Sequence, residues 1–229
     1  MINDKHFFIY SDLGTNRVCI DQWILFFESY DCGYYLLMAD DVKSGALNNG
    51  DVFIIPGGAD LPYCELLNGK GNREIKQFVE NGGIYIGVCA GAYYAHKGID
   101  WQNTTETITG GRELSFFDGI ATGPLVKPYN PDTTDGLTYI PVFFNDKKGM
   151  CYYKGGPIMV ADNDTDVISN FLYNGKKYPA VMQKDIGLGK AVAICPHMEF
   201  SDKYMTEINA PDCENRVDIF HEIINIILL

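Results

Sequence analysis

Residues 84–91 read Ile-Tyr-Ile-Gly-Val-Cys-Ala-Gly, and this stretch decides the fold. Its apolar start predicts a buried strand, and a Gly-x-Cys-x-Gly sequence after a strand predicts a nucleophile elbow, the sharp turn between a strand and a helix. The glycines let neighbouring backbone pack close to the turn, which lifts the Cys89 side chain to the end of the sheet. Because a helix begins there, its dipole favours a thiolate over a thiol. Cys89 is therefore the candidate nucleophile.

A candidate base lies far downstream, where the apolar run 191–195 is followed by Pro-His-Met-Glu at 196–199. Side chains two residues apart on an extended strand lie on the same face, so Glu199 can orient the imidazole of His197. His197 would accept the proton of Cys89 and return it to a leaving amine. The other histidines are expected to be structural or solvated: His6, His96 in the helix after the elbow, and His221.

The tetrahedral intermediate of such chemistry needs an oxyanion hole made of backbone N–H groups. Ala90, directly after the nucleophile, is one natural donor, and the tight turn after the predicted strand 52–55 offers Gly58 as the other. Asp60 could accept a charge-assisted hydrogen bond from a substrate amine, or it could cap the next turn while Cys64 packs. The candidates to line a substrate pocket are Gly57, Asp60, Tyr63 and Cys64.

Strand and helix patterns alternate in the first hundred residues. Continuous apolar runs are typical of strands buried on both faces, as in parallel sheets. The alternation predicts an α/β fold with a flavodoxin-like, doubly wound and mostly parallel sheet, whose ligands bind beyond the carboxyl ends of the strands. The predicted strands are 6–10, 34–38, 52–55 and 84–88, and the predicted helices are 15–30, 72–80 and one from about residue 215.

After Gly98 the alternation stops, and residues 104–190 carry β-branched and aromatic runs separated by turn signals. Asn-Gly at 174–175 between two apolar runs is a strong hairpin signal. We expect an antiparallel, hairpin-rich C-terminal half that continues the same domain, so that residues 1–229 form a single domain.

Composition limits the classes of partner. The formal net charge of −12 at pH 7 argues against nucleic acid and against anionic membranes as partners. Seven scattered cysteines without a CxxC pair indicate a reducing compartment, and the N-terminus lacks the features of a signal peptide. The expected location is cytoplasmic, and the sequence predicts no cofactor and no metal site.

Three stretches resemble a known family. Residues 55–64 read Ile-Pro-Gly-Gly-Ala-Asp-Leu-Pro-Tyr-Cys, residues 67–72 read Leu-Asn-Gly-Lys-Gly-Asn, and residues 82–94 read Gly-Gly-Ile-Tyr-Ile-Gly-Val-Cys-Ala-Gly-Ala-Tyr-Tyr. They are similar to the N-terminal domain of eukaryotic biotin–protein ligases and to stand-alone bacterial proteins of that family, as is the Tyr/Gly-rich segment 152–157. The elbow with a downstream His-x-Glu also resembles the wider class I glutamine amidotransferase superfamily.

The resemblance implies a glutamine-amidotransferase-like fold and a Cys89-His197-Glu199 triad that would hydrolyse or transfer the C–N bond of a small amide. It does not imply ligase activity, because biotin ligation in the family belongs to a separate domain with a Gly-Arg-Gly-Arg type loop, which this sequence lacks. No synthase sequence is fused to the site, so released ammonia would need an accepting partner protein.

Two other interpretations stay open at this point. The fold could be a catalytically silent module that binds a metabolite or a partner protein, which the missing synthase favours. Met198, in place of the Pro common between His and Glu in amidotransferases, favours it too. The peptidase and chaperone branch of the superfamily places a His directly after the nucleophilic Cys, and Ala90 at that position disfavours this branch.

Overall fold

The computed structural model describes residues 2–211 and 215–229. The strands are β1 (Phe7–Tyr10), β2 (Tyr34–Leu37), β3 (Val52–Ile55), β4 (Ile84–Val88), β5 (His96–Gln102), β6 (Thr107–Gly111), β7 (Phe117–Gly123), β8 (Leu137–Phe144), β9 (Lys147–Lys154), β10 (Asp166–Tyr173), β11 (Lys176–Ile186) and β12 (Gly189–Ile194). The helices are α1 (Arg17–Ser29), α2 (Ala39–Lys43), α3 (Asp60–Leu67), α4 (Lys70–Glu80), α5 (Ala90–Ala95), α6 (Asp202–Glu207) and α7 (Arg216–Ile227), with two 3₁₀ turns at Ile2–Asp4 and Ala46–Asn49.

Nine strands form one mixed sheet in the order β2-β1-β3-β4-β12-β11-β10-β8-β9. The first five strands of that order run parallel to one another, and every pairing from β12 outward to β9 is antiparallel. This arrangement confirms the predicted α/β fold with a parallel half and an antiparallel, hairpin-rich half.

The apolar runs explain the parallel half. Every residue of β1, β3 and β4 is buried, because helices cover both faces of a doubly wound sheet. The helix predicted over 15–30 begins at Arg17, where the Asn16 side chain accepts a hydrogen bond from the N–H of Val18 as an N-cap. The predicted hairpin at 174–175 joins β10 to β11.

Three features differ from the predictions. Residues 60–67 form α3, where the sequence predicted no helix; Pro62 lies in its first turn, where proline costs no hydrogen bond. The helix after the elbow ends at Ala95, so His96 is the first residue of β5 and not part of that helix. A second sheet, β6-β5-β7, stands apart from the nine strands, and its pair β5–β7 is parallel.

The C-terminal helix buries one apolar face, as expected, although its first residue Arg216 is buried and Val217 is only half-buried. Arg216 donates hydrogen bonds to the carbonyl oxygen of Phe200 and to Asp202, so its charge is compensated. Within the described residues, no helix is both long and apolar enough to cross a membrane.

Candidate active site

Cys89 occupies the turn between β4 and α5 with φ 52° and ψ −101°. A non-glycine residue with positive φ is strained, and such strain is typical of a nucleophile held in a sharp turn. The backbone N–H of Cys89 donates to the carbonyl oxygen of Ile194 at 3.1 Å, which ties the turn to the end of β12. The side chain is largely buried, with 7% of the residue exposed.

The two glycines of the motif are required by close backbone contacts. A Cβ atom at position 91 would lie 2.1 Å from the carbonyl oxygen of Ile55, at the end of β3. A Cβ atom at position 87 would lie 2.3 Å from the carbonyl oxygen of Gly91. The turn therefore packs against itself and against β3 with no room for a side chain.

His197 and Glu199 lie beyond the end of β12, in an extended segment that follows a cis peptide bond between Cys195 and Pro196. Both are buried, and the Nδ1–H group of His197 donates to Glu199 Oε1 at 2.7 Å. The backbone N–H of His197 donates to the carbonyl oxygen of Tyr152 at 2.9 Å, which holds the segment against β9. This bond explains why the chain stays extended after the strand has ended.

The electrostatics of His197 favour its charged form. Burial alone would lower the pKa of His197, but the Glu199 carboxylate and the nearby sulfurs of Cys19 and Cys89 raise it well above its ordinary value. A carboxylate beside an imidazole stabilises the cation in this way. Cys89 thus interacts with His197, while its Sγ also lies 3.8 Å from the carbonyl oxygen of Lys154 as a hydrogen-bond donor.

The two residues predicted to form an oxyanion hole, Gly58 and Ala90, lie near Cys89. Ala90 is the first residue of α5, so no carbonyl oxygen of that helix is available to its N–H group. Gly58, with φ 151°, lies in a loop fixed by two hydrogen bonds of 2.8 Å, from Asn16 N–H to Gly57 O and from Ala59 N–H to Gly14 O. Both Gly58 and Ala90 line the same cleft as Cys89.

Gly57 does not line this cleft and lies next to the imidazole of His197. A Cβ atom at position 57 would lie 2.6 Å from Cε1 of His197 and 3.0 Å from Sγ of Cys19. The first glycine of the turn is therefore needed so that the loop and the candidate base can meet, and the second is the one that faces the cleft.

The cleft has a volume of about 560 Å³, and Cys89, His197 and Asp60 are among the residues that line it. The Asp60 carboxylate pairs with Arg112, whose Nε donates to Oδ2 at 2.6 Å, so Asp60 is already charge-compensated. Tyr63 is fully buried and donates to the carbonyl oxygens of Gly14 and Pro56. Cys64 is outside the lining, and burial raises its pKa to about 11. Of the four pocket candidates, Asp60 alone reaches the cleft wall.

Sequence reasoning missed Cys19. It lies in the first turn of α1, lines the cleft, and places its sulfur 3.9 Å from Nδ1 of His197. The signal was available, since the helix after β1 begins at the same carboxyl edge as the elbow. One ligand atom each from Cys19, His197 and Glu199 lie within 4.8 Å of one another, a donor set that zinc accepts. The hydrogen bond between His197 and Glu199 already uses the nitrogen that faces this group.

The Tyr/Gly-rich segment 152–157 forms the opposite wall. The hydroxyl of Tyr93, in α5, donates to the carbonyl oxygen of Gly155 at 3.1 Å, and the hydroxyl of Tyr153 donates to that of Gly156 at 2.7 Å. These bonds fix the segment beside the nucleophile, and the ring of Tyr152 packs edge to face on His197 with centroids 5.8 Å apart. A stretch remote in sequence thus completes the cleft.

Comparison with known proteins shows which family this chain belongs to. The family described as "Biotin-protein ligase, N terminal" matches residues 8–225. A biotin–protein ligase of Schizosaccharomyces pombe is 26% identical over 234 residues, which cover 96% of this chain and 37% of the yeast protein. An uncharacterized protein of Chlamydia muridarum is 30% identical over 161 residues, which cover 67% of this chain and 62% of that protein. The chain thus spans less than two thirds of either relative.

The fold also resembles that of solved structures with low sequence identity. A solved structure from Thermoplasma acidophilum, of a candidate GMP synthase component, is 13% identical and has a TM-score of 0.51. The match covers 97% of this chain and 94% of that one, and it supports the glutamine-amidotransferase-like fold. With the family match over nearly the whole chain, these comparisons confirm the resemblance found in the sequence: the chain belongs to the biotin–protein ligase N-terminal family.

Proposed function

We propose that this chain is a cysteine-nucleophile hydrolase or amidotransferase that acts on the C–N bond of a small amide through Cys89, His197 and Glu199. The observation that carries the proposal is the 2.7 Å hydrogen bond between His197 and Glu199 next to a cysteine in a strained elbow. An imidazole that a carboxylate orients, and whose charged form that carboxylate stabilises, can take the proton of a neighbouring thiol at a helix N-terminus and so generate a reactive thiolate.

The chemistry follows the geometry. The Cys89 thiol turns from the Lys154 carbonyl to His197 and gives it a proton, and the thiolate attacks the amide carbon. The carbonyl oxygen becomes an oxyanion held by the N–H groups of Gly58 and Ala90. The C–N bond breaks as His197 returns the proton to the leaving amine, which leaves a thioester on Cys89. Water, deprotonated by His197, then hydrolyses the thioester to a carboxylic acid and regenerates the thiol.

Glu199 has two tasks in this scheme. It fixes the tautomer and the orientation of His197, and it stabilises the imidazolium that forms with the thiolate. Its second carboxylate oxygen, Oε2, is buried without a hydrogen-bond partner among the described residues. Because a buried unpaired oxygen is costly, the carboxylate gains most when the neighbouring imidazole is charged.

Selective alkylation tests the proposal. Iodoacetamide at neutral pH should label Cys89 stoichiometrically and faster than the other six cysteines, as read by peptide mass mapping of the folded protein. Cys89→Ser is the matched control, and ammonia release from primary amides by the native protein and by this variant measures turnover. Equal labelling of all cysteines, or an unreactive Cys89, would instead favour a silent binding module on the same fold. An ammonia-accepting partner belongs to the same proposal and follows only if turnover is seen.

A further inference from the structure

The cleft is larger and more aromatic than a small primary amide needs. A volume of about 560 Å³ lies within the range of pockets that enclose drug-sized ligands. Trp101 of β5 and Tyr129 both line it and meet edge to face, with ring centroids 5.5 Å apart and planes at 88°. A pair of this kind binds flat apolar groups, and its ring faces attract cations.

This aromatic pair is close to the reacting sulfur. A Cβ atom at position 155 would lie 2.5 Å from the ring of Tyr129, so the ring packs on the segment that flanks the nucleophile. Burial raises the pKa of Tyr129 to about 12, and the electrostatic influence of Cys89 adds to the effect. A substrate whose carbonyl lies at Cys89 would therefore extend its body past Tyr129 towards Trp101.

The charges that line the cleft are mostly negative. Glu65 of α3 and Glu106 before β6 line it with exposed side chains, and no ion pair engages either of them among residues 2–211 and 215–229. Lys154, the cationic lysine of the lining, donates through Nζ to the carbonyl oxygens of Pro131 at 2.8 Å and Thr133 at 2.6 Å. The nearby Arg112 is committed to Asp60.

An anionic substrate group would find no uncommitted side-chain cation in this lining, as far as the described residues extend. A free α-carboxylate, such as that of glutamine, would face Glu65 and Glu106 instead. The net charge of −12 adds a field that concentrates cations at the surface and repels anions. The size of the cleft, its aromatic lining and its negative charges therefore all favour a substrate that is large, apolar and cationic.

We propose that the amide substrate of this site has an apolar or aromatic body that binds Trp101 and Tyr129 and carries a cationic group attracted by Glu65 and Glu106. This inference rests on the function proposed above, since it assumes that the reacting carbonyl lies at Cys89. It assigns substrate selection to Glu65 of α3, Trp101 of β5 and two residues between strands, Glu106 and Tyr129, none of which belongs to the triad.

A charge series of one amide tests the proposal. The probes are para-(aminomethyl)benzamide, benzamide and para-carbamoylbenzoate, which share a ring and differ in charge. Each is used at millimolar concentration to protect Cys89 from iodoacetamide. We expect the cationic amide to protect about fivefold better than benzamide and the anionic amide to protect least, with the differences shrinking at high salt.

Variants sharpen the assignment. The double change Glu65→Gln/Glu106→Gln should reduce the cation-to-anion preference at least threefold, and Trp101→Leu should weaken protection by all three amides. Glu207→Gln, an exposed change on α6, is the control that should alter nothing. Equal protection by the three amides, no protection by the cationic one, or a preference unchanged in the double variant would overturn the proposal. A Cys89 that reacts no faster than other cysteines would instead overturn the proposed function, so the two failures differ.

Discussion

The two halves of the nine-stranded sheet are built on different principles. In the parallel half, β1, β3 and β4 are buried at every residue, whereas β8 and β9 in the antiparallel half mix buried with half-exposed positions, largely in alternation. The parallel half positions Cys89 by close packing, with no room for a Cβ atom at Gly87 or Gly91. The antiparallel half supplies a wall that reaches the site from the far edge of the sheet, where Tyr152 of β9 pairs with His197.

The candidate site takes residues from both halves of the sheet. β12 belongs to both halves, because it is parallel to β4 and antiparallel to β11. The candidate base His197 follows β12, the candidate nucleophile Cys89 follows β4, and Tyr152 comes from β9, which lies between these two strands in the sequence. Substitutions in the parallel half should therefore affect folding and chemistry together, and substitutions in the antiparallel half should affect them less.

The largest effect is expected at the elbow. Gly91→Ala would place Cβ 2.1 Å from the Ile55 carbonyl oxygen and should destabilise the protein by about 3 kcal/mol or more, because backbone on both sides must move. Gly175→Ala in the β10–β11 hairpin meets nothing within 4 Å and bears only its φ of +74°, at a cost of about 1 kcal/mol. Gly33→Ala, with neither problem, should be within about 0.5 kcal/mol of the native protein.

Urea denaturation of the three variants measures this order. If Gly91→Ala were as stable as Gly33→Ala, the elbow would not be the closely packed element described here.

The next largest effect is expected at the candidate base His197 and its partner Glu199. They follow β12, the strand that belongs to both halves of the sheet. Glu199→Gln keeps the shape of the side chain but removes the charge that raises the pKa of His197. Turnover of an accepted amide should fall on the order of ten-thousandfold, as when a triad carboxylate is neutralised. The alkylation rate of Cys89 at pH 7 should fall with it, because the imidazolium that stabilises the thiolate is lost.

Circular dichroism shows whether this variant remains folded, and Glu207→Gln on α6 is the matched control. Unchanged alkylation in a folded Glu199→Gln protein would separate the carboxylate from the reactivity of the cysteine.

The sequence predicted the parts of the site that follow from local signals and missed parts that depend on distant strands. The elbow, the strand before it and the His-x-Glu segment were predictable, because continuous apolar runs and a Gly-x-Cys-x-Gly turn are local signals. Tyr152 could not be placed beside His197, because that contact depends on pairing between distant strands. Cys19 was missed although the helix after β1 begins at the carboxyl edge of the sheet. The path of the chain past β12 was also hidden, since the extended conformation of His197 depends on the carbonyl oxygen of Tyr152 and not on its own neighbours.

Two buried histidines, His96 in the small sheet and His197 after β12, should give the stability of the protein opposite dependences on pH. Burial lowers the pKa of His96, at the start of the small sheet, to about 4, whereas an unfolded histidine titrates near 6.5. Between these values the unfolded chain binds one more proton, so stability should fall by about 3 kcal/mol as the pH drops from about 6.5 to about 4. His197 has the opposite sign, because its raised pKa gives stability below pH 6.5 that is lost as pH rises through the raised value.

His96→Leu should therefore flatten the acid side of the stability curve, measured by urea denaturation at several pH values. An acid loss that persists in His96→Leu would have to come from the carboxylates or from His221, whose pKa burial also lowers.

The smallest effect isolates the strain at the nucleophile. With φ 52°, Cys89 adopts a backbone conformation that glycine accepts freely and alanine does not. Cys89→Gly should therefore be more stable than Cys89→Ala by about 1 kcal/mol, although glycine is normally the less stabilising of the two. Both variants lose the thiol, so the difference between their urea midpoints reports the backbone alone. A more stable alanine variant would mean that the turn relaxes once the sulfur is removed, and that the thiol, rather than the packing of the parallel half, holds Cys89 in its strained conformation.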